Sequence, residues 1–472
     1  MLKSALLIFS GQAFSSVLSL LRNLLIARLI SVEDYGIAAT FAISMSIVEM
    51  MTTLGLHQLI IQDSNGEDPR LQSGLQGFHL MRSMFTGGVL FFLAHPIAGF
   101  LGIADVAWAY QLLALVPVIS GLMHFDLYRV QRRMVYLPSI LSTSVPNLIS
   151  VLAIWPLWTI YGDYRVMLYA VMLQSVLTVV MSHLVATRRY RLTLDRSVIT
   201  QSLQFGWPLL INNILLFLIF QGEKIIVGRV LGLEDLAIFA MGFTLTLTPA
   251  LLLGSSSQSF FLPQLAAVKD ARPKFDHLAM VTFQSHLFLG ALFVIGVMLF
   301  ADPVVHLLLS SKYAGLIPLM AWMAILQSFR LFRGGSSTIG LAMGKTGVAS
   351  ISNLPRIFSM PFAWYAALET GDVFVVLWIA IAGEVVGFIV SLILLKRHLG
   401  ISLGSTVMSF WCTMGVVICV AIQAWLSNRT VEALHLSLWT SVPILVLFVL
   451  ALWGMTDLRT YVAARKNHQP FV

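Results

Sequence analysis

Long apolar segments alternate with short polar loops along nearly the whole chain. About fourteen segments of roughly 19–29 residues are each long enough to cross a ~30 Å hydrocarbon core as a helix. A bilayer accepts only helices or closed barrels, and these segments are about twice as long as a barrel strand. The pattern therefore predicts an all-α polytopic membrane protein, with spans at 5–30, 36–60, 77–103, 107–125, 138–160, 164–186, 203–231, 235–262, 279–301, 315–341, 346–367, 372–395, 402–426 and 434–455.

Lys and Arg residues are concentrated in every second loop. The loops on one side hold 18 of them, whereas the loops on the other side hold only Arg165, Lys312 and Arg429. Because positive residues of short loops stay on the cytoplasmic side, both termini are expected in the cytoplasm and the number of spans is expected to be even.

The composition agrees with a chain that faces lipid. Hydrophobic residues make up 58% of it and charged residues 11%, with a net charge of +8, whereas soluble domains carry roughly 25% charged residues. The cations are spread over short loops instead of one soluble face, so no nucleic-acid partner is expected. The two cysteines, Cys412 and Cys419, have neither a disulfide nor a zinc spacing. We expect no metal and no cofactor.

One short pattern occurs twice in the chain. Residues 22–37 close the first span and open the second, and residues 223–238, at an offset of 201, close the seventh and open the eighth. Six spans separate the copies, so they share one orientation, as in a parallel repeat. Chance similarity is the alternative, because acidic residues suit the start of any helix. The common register and topological position favour a true repeat. Its identical pairs are Arg28 and Arg229, Glu33 and Glu234, Asp34 and Asp235, and Ile37 and Ile238.

The repeat predicts the architecture of the whole chain. We expect an N-terminal lobe of six spans (1–202), a C-terminal lobe of six spans (203–398) and two additional spans with a tail (399–472). The two lobes would be related by a parallel pseudo-two-fold axis. Such bundles are typical of alternating-access transporters that hold the substrate between the lobes near the midplane. Symmetry within one chain is consistent with a functional monomer.

Ionisable residues within the spans are the candidates for function. Such residues are costly in a bilayer and usually face a bundle interior or an aqueous cavity. Cations outnumber acids here by eight to three, and the guanidinium group of Arg can meet phosphate oxygens bidentately. We therefore expect an anionic head group, such as a diphosphate or an acidic sugar, as the ligand. The candidate substrate-binding residues are Arg22, Arg28, Lys224, Arg330, Arg333 and Arg356, and the candidate coupling residues or structural partners are Glu49, Glu223 and Glu384.

Internal pairing and snorkelling are the alternative explanation for these charges. Snorkelling applies most to Arg28, Arg82 and Arg229, which lie within a turn or two of a predicted interface. The histidines in or at the ends of spans are scattered, which favours hydrogen-bonded structural roles over proton transfer; they are His57, His79, His124, His183 and His286.

Several soft motifs resemble those of bacterial polysaccharide-export flippases, which act on O-antigen or exopolysaccharide repeat units. The family lies in the multidrug/oligosaccharidyl-lipid/polysaccharide exporter superfamily. The resemblance covers most of the chain, and its motifs are 9–12 (FSGQ), 22–36 (RNLLIARLISVEDYG), 55–62 (GLHQLIIQ), 128–134 (YRVQRRM), 205–208 (FGWP), 330–335 (RLFRGG) and 342–345 (AMGK).

The resemblance implies a transporter in the bacterial inner membrane. It implies flipping of undecaprenyl-diphosphate-linked oligosaccharide repeat units from the cytoplasmic to the periplasmic leaflet, by alternating access through a cationic central cavity. Arg22 falls on a basic position that the lipid II relatives carry in the first span, and Arg28 falls on their next one. The implied partners are the lipid-linked oligosaccharide, membrane lipids, and a polysaccharide polymerase with its chain-length regulator.

Two other functions are alternatives to this one. A cation-coupled multidrug exporter would favour an acidic cavity, whereas the charges within these spans are mostly basic. A membrane enzyme of polysaccharide assembly, such as a polymerase, would need a large loop with acids or metal ligands, and the sequence has no Asp-x-Asp pair or metal-spaced His cluster. The residues 334–336 (GGS) lie in a span and indicate close helix packing. We therefore expect no enzymatic activity.

Overall fold

Every regular element of the described residues is a helix. The computed structural model describes residues 2–52, 54–401, 404–427 and 438–466. Three short 3-10 helices accompany the α-helices, at Ala104–Val106, Ser311–Leu316 and Gly404–Thr406. The α-helices are α1 (Leu2–Leu29), α2 (Val32–Thr52), α3 (Leu56–Gln62), α4 (Pro69–Phe100), α5 (Ala107–Leu113), α6 (Leu115–Ser120), α7 (Asp126–Arg132), α8 (Leu137–Tyr161), α9 (Arg165–Leu184), α10 (Arg196–Val230), α11 (Leu233–Ala267), α12 (Arg272–Leu308), α13 (Ile317–Ala342), α14 (Gly347–Thr370), α15 (Val373–Leu399), α16 (Val407–Ser427), α17 (Leu438–Gly454) and α18 (Thr456–Lys466).

The predicted class, an all-α polytopic membrane protein, is confirmed. Among the described residues, nine helical segments are long and apolar enough to cross a membrane, or ten if the bent pair at residues 441–465 is one span. The predicted span 107–125 is interrupted, because it consists of the short helices α5 and α6. Pro117 has no N–H to donate to the carbonyl of Leu113, which accounts for a break at Ala114. Arg429 lies outside the described residues.

The two copies of the repeated pattern form matching helix ends. Helix α1 ends at Leu29 and α2 begins at Val32, while α10 ends at Val230 and α11 begins at Leu233, so both boundaries keep the offset of 201. Acidic residues occupy the first turn of both α2 and α11, where the partial positive charge of a helix N-terminus favours them. The pseudo-two-fold relation between the lobes stays a prediction.

The contacts divide the chain into two compact units. The N-terminal unit comprises Met1–Ala237 and the C-terminal unit comprises Ile238–Val472. The division falls in the second turn of α11, so α10 belongs to the N-terminal unit by its contacts. The predicted lobe boundary at residue 202 rests on the repeat and stays a prediction.

An apolar cluster closes one end of the N-terminal unit. It joins the start of α2 to the end of α4 and to α5, and its members include Ile37, Phe41, Ala98, Tyr110 and Leu168. The ring centroids of Phe41 and Tyr110 lie 5.2 Å apart in an edge-on contact. The loop charges predict that this end is the periplasmic one, and the orientation stays a prediction.

Small residues set the packing of the C-terminal unit. A Cβ atom added at Gly383 of α15 would lie 2.6 Å from Ser359 Oγ of α14, and one at Gly387 would lie 2.5 Å from the carbonyl oxygen of Ser352. This Gly-x-x-x-Gly spacing allows two helix backbones to approach closely. A Cβ atom added at Gly335 of α13 would lie 3.2 Å from the side chain of His286 on α12, which agrees with close packing at 334–336.

Gly77 of α4 lies directly under the segment that joins α9 to α10. A Cβ atom added there would lie 2.1 Å from the carbonyl oxygen of Thr193, whereas one added at Gly88 of the same helix meets no atom of the described chain within 4 Å. We expect Gly77→Ala to lower the free energy of unfolding by about 1–3 kcal/mol, because backbone must move. Gly88→Ala should be neutral or stabilising, since Ala favours a helix. Thermal unfolding of the two purified variants in detergent tests this, and equal midpoints would contradict it.

Candidate functional site

A cavity of about 380 Å³ lies within the N-terminal unit, between α1, α2, α6 and α9. Its wall is apolar at Phe41, Met45 and Val171, and polar where α1 and α9 face each other. We refer to it as the Arg22 cavity, because Arg22 is the single charged residue among its described lining residues. The polar lining residues are Arg22, Asn23, Ser46, Ser120, Gln174, Ser175 and Thr178.

Arg22 is held in place but keeps hydrogen-bonding capacity. Its Nη1 donates to Oε1 of Gln174 on α9. Its Nε is buried and has no hydrogen-bond partner among the described residues. A guanidinium group has several N–H donors in a fixed plane and no acceptor. Because a buried unsatisfied donor is costly, the site favours an anionic ligand oxygen beside Arg22.

A second cavity, of about 330 Å³, adjoins the first one. The two share Met45 and Ser120, and we refer to the second as the Arg82 cavity. Nη2 of Arg82 donates to Nδ1 of His79 at 2.9 Å, and Nε2 of His79 donates to the carbonyl oxygen of Ser120 at 3.2 Å. Because a guanidinium only donates and a carbonyl only accepts, His79 carries its hydrogen on Nε2. His57 also lines this cavity.

The apolar cluster and the two cavities follow one another along α2. Ile37 and Phe41 belong to the cluster, Met45 and Ser46 line the Arg22 cavity, and Val48 lines the Arg82 cavity. The N-terminus of α2 is the end predicted to be periplasmic. The polar cavities therefore lie on the predicted cytoplasmic side of the apolar cluster.

Lys224 and Glu223 lie on α10, which packs on α2. Nε2 of Gln221 donates to Oγ of Ser46, a residue that lines the Arg22 cavity, at 3.1 Å. Lys224 is three residues beyond Gln221 and so shares its helix face. Lys224 is half-buried and Glu223 is buried. The side chain of Glu49 lies outside the described residues.

Two cations of the repeated pattern lie near helix ends. Arg28 is exposed in the last turn of α1. Arg229 is exposed in the last turn of α10, with its guanidinium carbon 5.4 Å from the ring centroid of Phe100. Neither residue lines the Arg22 or the Arg82 cavity.

The three candidate arginines of the C-terminal unit converge on Glu384 of α15. Nε of Arg330 lies 2.9 Å from one carboxylate oxygen, and Nη2 of Arg333 lies 3.3 Å from the other. Arg356 also pairs with Glu384, and both side chains are inaccessible to solvent. Arg330 and Arg333 come from α13 and Arg356 from α14. One acid therefore neutralises part of three buried positive charges.

The members of this Glu384 cluster differ in what they can reach. Arg330 lines a cavity of about 260 Å³ in the C-terminal unit, where its Nη1 donates to Oε1 of Gln327 at 3.0 Å. Nη1 of Arg333 donates to the carbonyl oxygen of Ser352 at 3.0 Å. Arg333 and Arg356 do not line that cavity. Of the three, Arg330 is placed best for a ligand.

The structure distributes the predicted cations over separate places. Arg22 lines the Arg22 cavity, and Lys224 lies on a face of α10 that contacts the wall of that cavity. Arg330 lines a separate cavity in the C-terminal unit. Substrate binding by all six cations stays a prediction. Gln174 was not among the predicted site residues. As a polar residue in the middle of an apolar span, it could have been recognised as a candidate. Sequence analysis also missed the Gly383-x-x-x-Gly387 spacing around Glu384.

These features define a multi-pass helical membrane protein with a basic, partly polar interior. The chain belongs to the polysaccharide biosynthesis protein family, whose model matches residues 25–318. It is 23% identical over 310 residues to the succinoglycan biosynthesis transport protein ExoT of Rhizobium meliloti (strain 1021), across 64% of this chain and 61% of ExoT. The alignment thus spans less than two thirds of that relative.

Solved transporter structures share the fold. The lipid II flippase MurJ in an inward closed conformation matches with a TM-score of 0.67 and 15% identity, over 98% of this chain and 100% of that chain. An inward-facing multidrug resistance MATE family transporter of the MOP superfamily matches with a TM-score of 0.64 and 14% identity, over 82% and 94%. At these identities the likeness establishes the fold alone.

Proposed function

We propose that this protein flips a lipid-linked oligosaccharide across the bacterial inner membrane, from the cytoplasmic to the periplasmic leaflet, by alternating access. The observation that carries the proposal is Arg22, which lines a cavity whose described lining contains no acid and has a buried Nε without a partner among the described residues. Membership of the polysaccharide biosynthesis family supports a saccharide substrate. ExoT, a relative, is named a transport protein.

In this proposal the residues of the cavity have distinct tasks. Arg22 binds a phosphate oxygen of an undecaprenyl diphosphate head group, and Gln174 fixes the orientation of its guanidinium group. Arg82 and His79 hold each other in the adjoining cavity, through which the head group reaches Arg22. Hydroxyl and amide groups of Asn23, Ser46 and Thr178 suit hydrogen bonds to sugars.

The charge of the site separates this proposal from a cation-coupled multidrug exporter. The MATE transporters share the fold, so the fold does not distinguish the two functions. An exporter of organic cations needs acidic cavity residues, whereas the described linings of the Arg22 and Arg82 cavities contain no Asp or Glu. The proposal includes no enzymatic step. A polysaccharide polymerase would act on the flipped product and is a proposed partner.

Loss of the gene tests the proposal in cells. A deletion strain is expected to accumulate diphosphate-linked repeat units that remain accessible only from the cytoplasm, because the lipid cannot cross the bilayer unaided. Radiolabelled lipid extracts and a membrane-impermeant sugar probe measure the amount and the sidedness. Repeat units that reach the periplasm but stay unpolymerised would contradict the proposal, since the protein would then act at a later step.

A further inference from the structure

The segment that joins α9 to α10 forms a basic pocket outside the cavities described above. Residues 186–195 have no regular secondary structure and lie against the first turns of α4. The pocket has a volume of about 290 Å³. The joining segment contributes three arginines to it and α4 contributes polar side chains. These residues are Arg188, Arg189, Arg191, Gln72, Ser73 and Gln76.

The backbone of this segment is fixed by hydrogen bonds on both sides. Oδ2 of Asp126, a residue inaccessible to solvent, accepts from the backbone N–H groups of Thr187 at 2.7 Å and Arg188 at 3.2 Å. Farther along, the N–H of Thr193 donates to the carbonyl oxygen of Ser73 at 3.2 Å. The arginines are thus presented by an ordered frame, which lowers the entropy that a ligand must overcome.

Asp126 remains an ionised anchor of this frame at neutral pH. Burial alone would raise the pKa of its carboxyl group. The hydrogen bonds from Arg129 and Thr187 outweigh burial and hold that pKa below its ordinary value. Nε of Arg129 lies 2.6 Å from Oδ1 of Asp126.

The positive charges of the pocket are only partly neutralised. Arg188 is oriented by Gln72 at 3.2 Å and by Glu67 at 3.4 Å, but Glu67 also pairs with Arg129 and Arg133. Arg189 and Arg191 are exposed, and neither forms an ion pair within the described part of the chain. The described lining of the pocket contains no acidic residue. The pocket therefore favours a ligand with at least one phosphate group.

Apolar residues around the arginines indicate that the ligand is a lipid. Leu192 and Leu194 are 44% and 67% exposed, and Leu184 at the end of α9 is 72% exposed. Exposed leucines beside arginines are typical of a segment at the boundary between head groups and acyl chains. The segment also lies at the helix ends that the loop charges place in the cytoplasm. We propose that this pocket binds the phosphate group of a membrane lipid in the cytoplasmic leaflet.

Lipid binding to the purified full-length protein tests the site. Native mass spectrometry in a neutral detergent gives apparent Kd values for phosphatidylglycerol, phosphatidylcholine and undecaprenyl diphosphate, and a titration with inorganic diphosphate measures the head group alone. We expect the wild type to prefer phosphatidylglycerol over phosphatidylcholine by about tenfold or more, which the variant R189Q/R191Q should lose.

Two further variants keep the test specific. K269Q/K274Q removes two exposed cations from another loop of the same predicted side and should keep the lipid preference. Gly77→Ala keeps every charge but displaces the joining segment, so it should weaken lipid binding, because the segment then no longer presents the arginines in the same arrangement. Thermal unfolding of R189Q/R191Q close to that of the wild type verifies that the variant is folded.

The outcomes separate the two lipid sources and the two proposals. Much tighter binding of undecaprenyl diphosphate would identify a loading site for the transported lipid, and equal binding of both anionic lipids would identify a phospholipid site. Wild-type lipid preference in R189Q/R191Q would overturn the proposal, as would equally tight binding of inorganic diphosphate. Because binding is measured without transport, the site can stand even if the flippase function fails.

Discussion

Replacement of Arg22 by Ala is expected to slow transport at least tenfold while the protein remains folded. Arg22 is the single charge in the described lining of its cavity, and its hydrogen bond to Oε1 of Gln174 leaves that oxygen on the cavity wall when it is lost. The loss of a charge-assisted, bidentate contact to phosphate should reduce flipping by about tenfold to a hundredfold. Arg22→Lys keeps the charge but not the planar fork, so we expect partial activity.

The matched control for Arg22→Ala is Arg229→Ala. Arg229 is also an arginine on a predicted span of the N-terminal unit, but it is exposed and contacts the ring of Phe100. Its removal should leave flipping near the wild-type rate. Accumulated lipid-linked repeat units in a complemented deletion strain, normalised to protein level, provide the measurement. Equal complementation by both variants would contradict a substrate-binding role of Arg22 and leave it a structural residue.

Replacement of Glu384 by Gln is expected to be the most destabilising single change. Glu384 is inaccessible to solvent and pairs with Arg330, Arg333 and Arg356. Gln keeps the shape but leaves buried positive charges without a counter-charge. Breaking a buried ion pair by removing one partner costs about 3–5 kcal/mol. We expect little folded protein in detergent, as measured by size-exclusion chromatography and thermal unfolding.

Two variants show whether the charge balance is the cause. Glu369→Gln is the matched control, because Glu369 is exposed at the end of α14, and its unfolding midpoint should not change. The double variant Glu384→Gln/Arg356→Met also removes the most buried of the three cations and should recover part of the stability. Wild-type stability of Glu384→Gln alone would contradict the ion-pair account.

Much of the fold follows from the length of the hydrophobic segments, whereas the orientation that the loop charges indicate stays a prediction. Each predicted span contains helical residues, because ~20 apolar residues in a bilayer have no other way to pair their backbone groups. The interrupted span at α5 and α6 also has a local cause in Pro117. In contrast, the arrangement around Glu384 depends on how closely α14 and α15 approach. The Gly383-x-x-x-Gly387 spacing permits that approach, but the sequence does not show which helix packs against these two glycines.

The candidate site was predicted in part. Depth within a span selected Arg22 and Arg330, which line cavities, but the same criterion selected Arg333 and Arg356, which pair with Glu384 away from those cavities. Depth alone cannot separate these cases, because an ion pair and a cavity both stabilise a buried charge. Whether a buried cation lines a cavity or forms an ion pair depends on residues far apart in sequence, such as Gln174 beside Arg22. The basic pocket likewise depends on Asp126, which fixes a segment some sixty residues away.

Reconstitution of the purified protein tests the central claim most directly. Proteoliposomes that contain a fluorescent undecaprenyl-diphosphate-linked oligosaccharide are exposed to a membrane-impermeant quencher, which reaches only the outer leaflet. With the wild type, we expect quenching to proceed beyond the outer-leaflet fraction as lipid from the inner leaflet is flipped. With Arg22→Ala, this second phase should be at least tenfold slower. If the wild type also stays at that level while a fluorescent organic cation crosses the membrane, the account is contradicted and the exporter alternative is favoured.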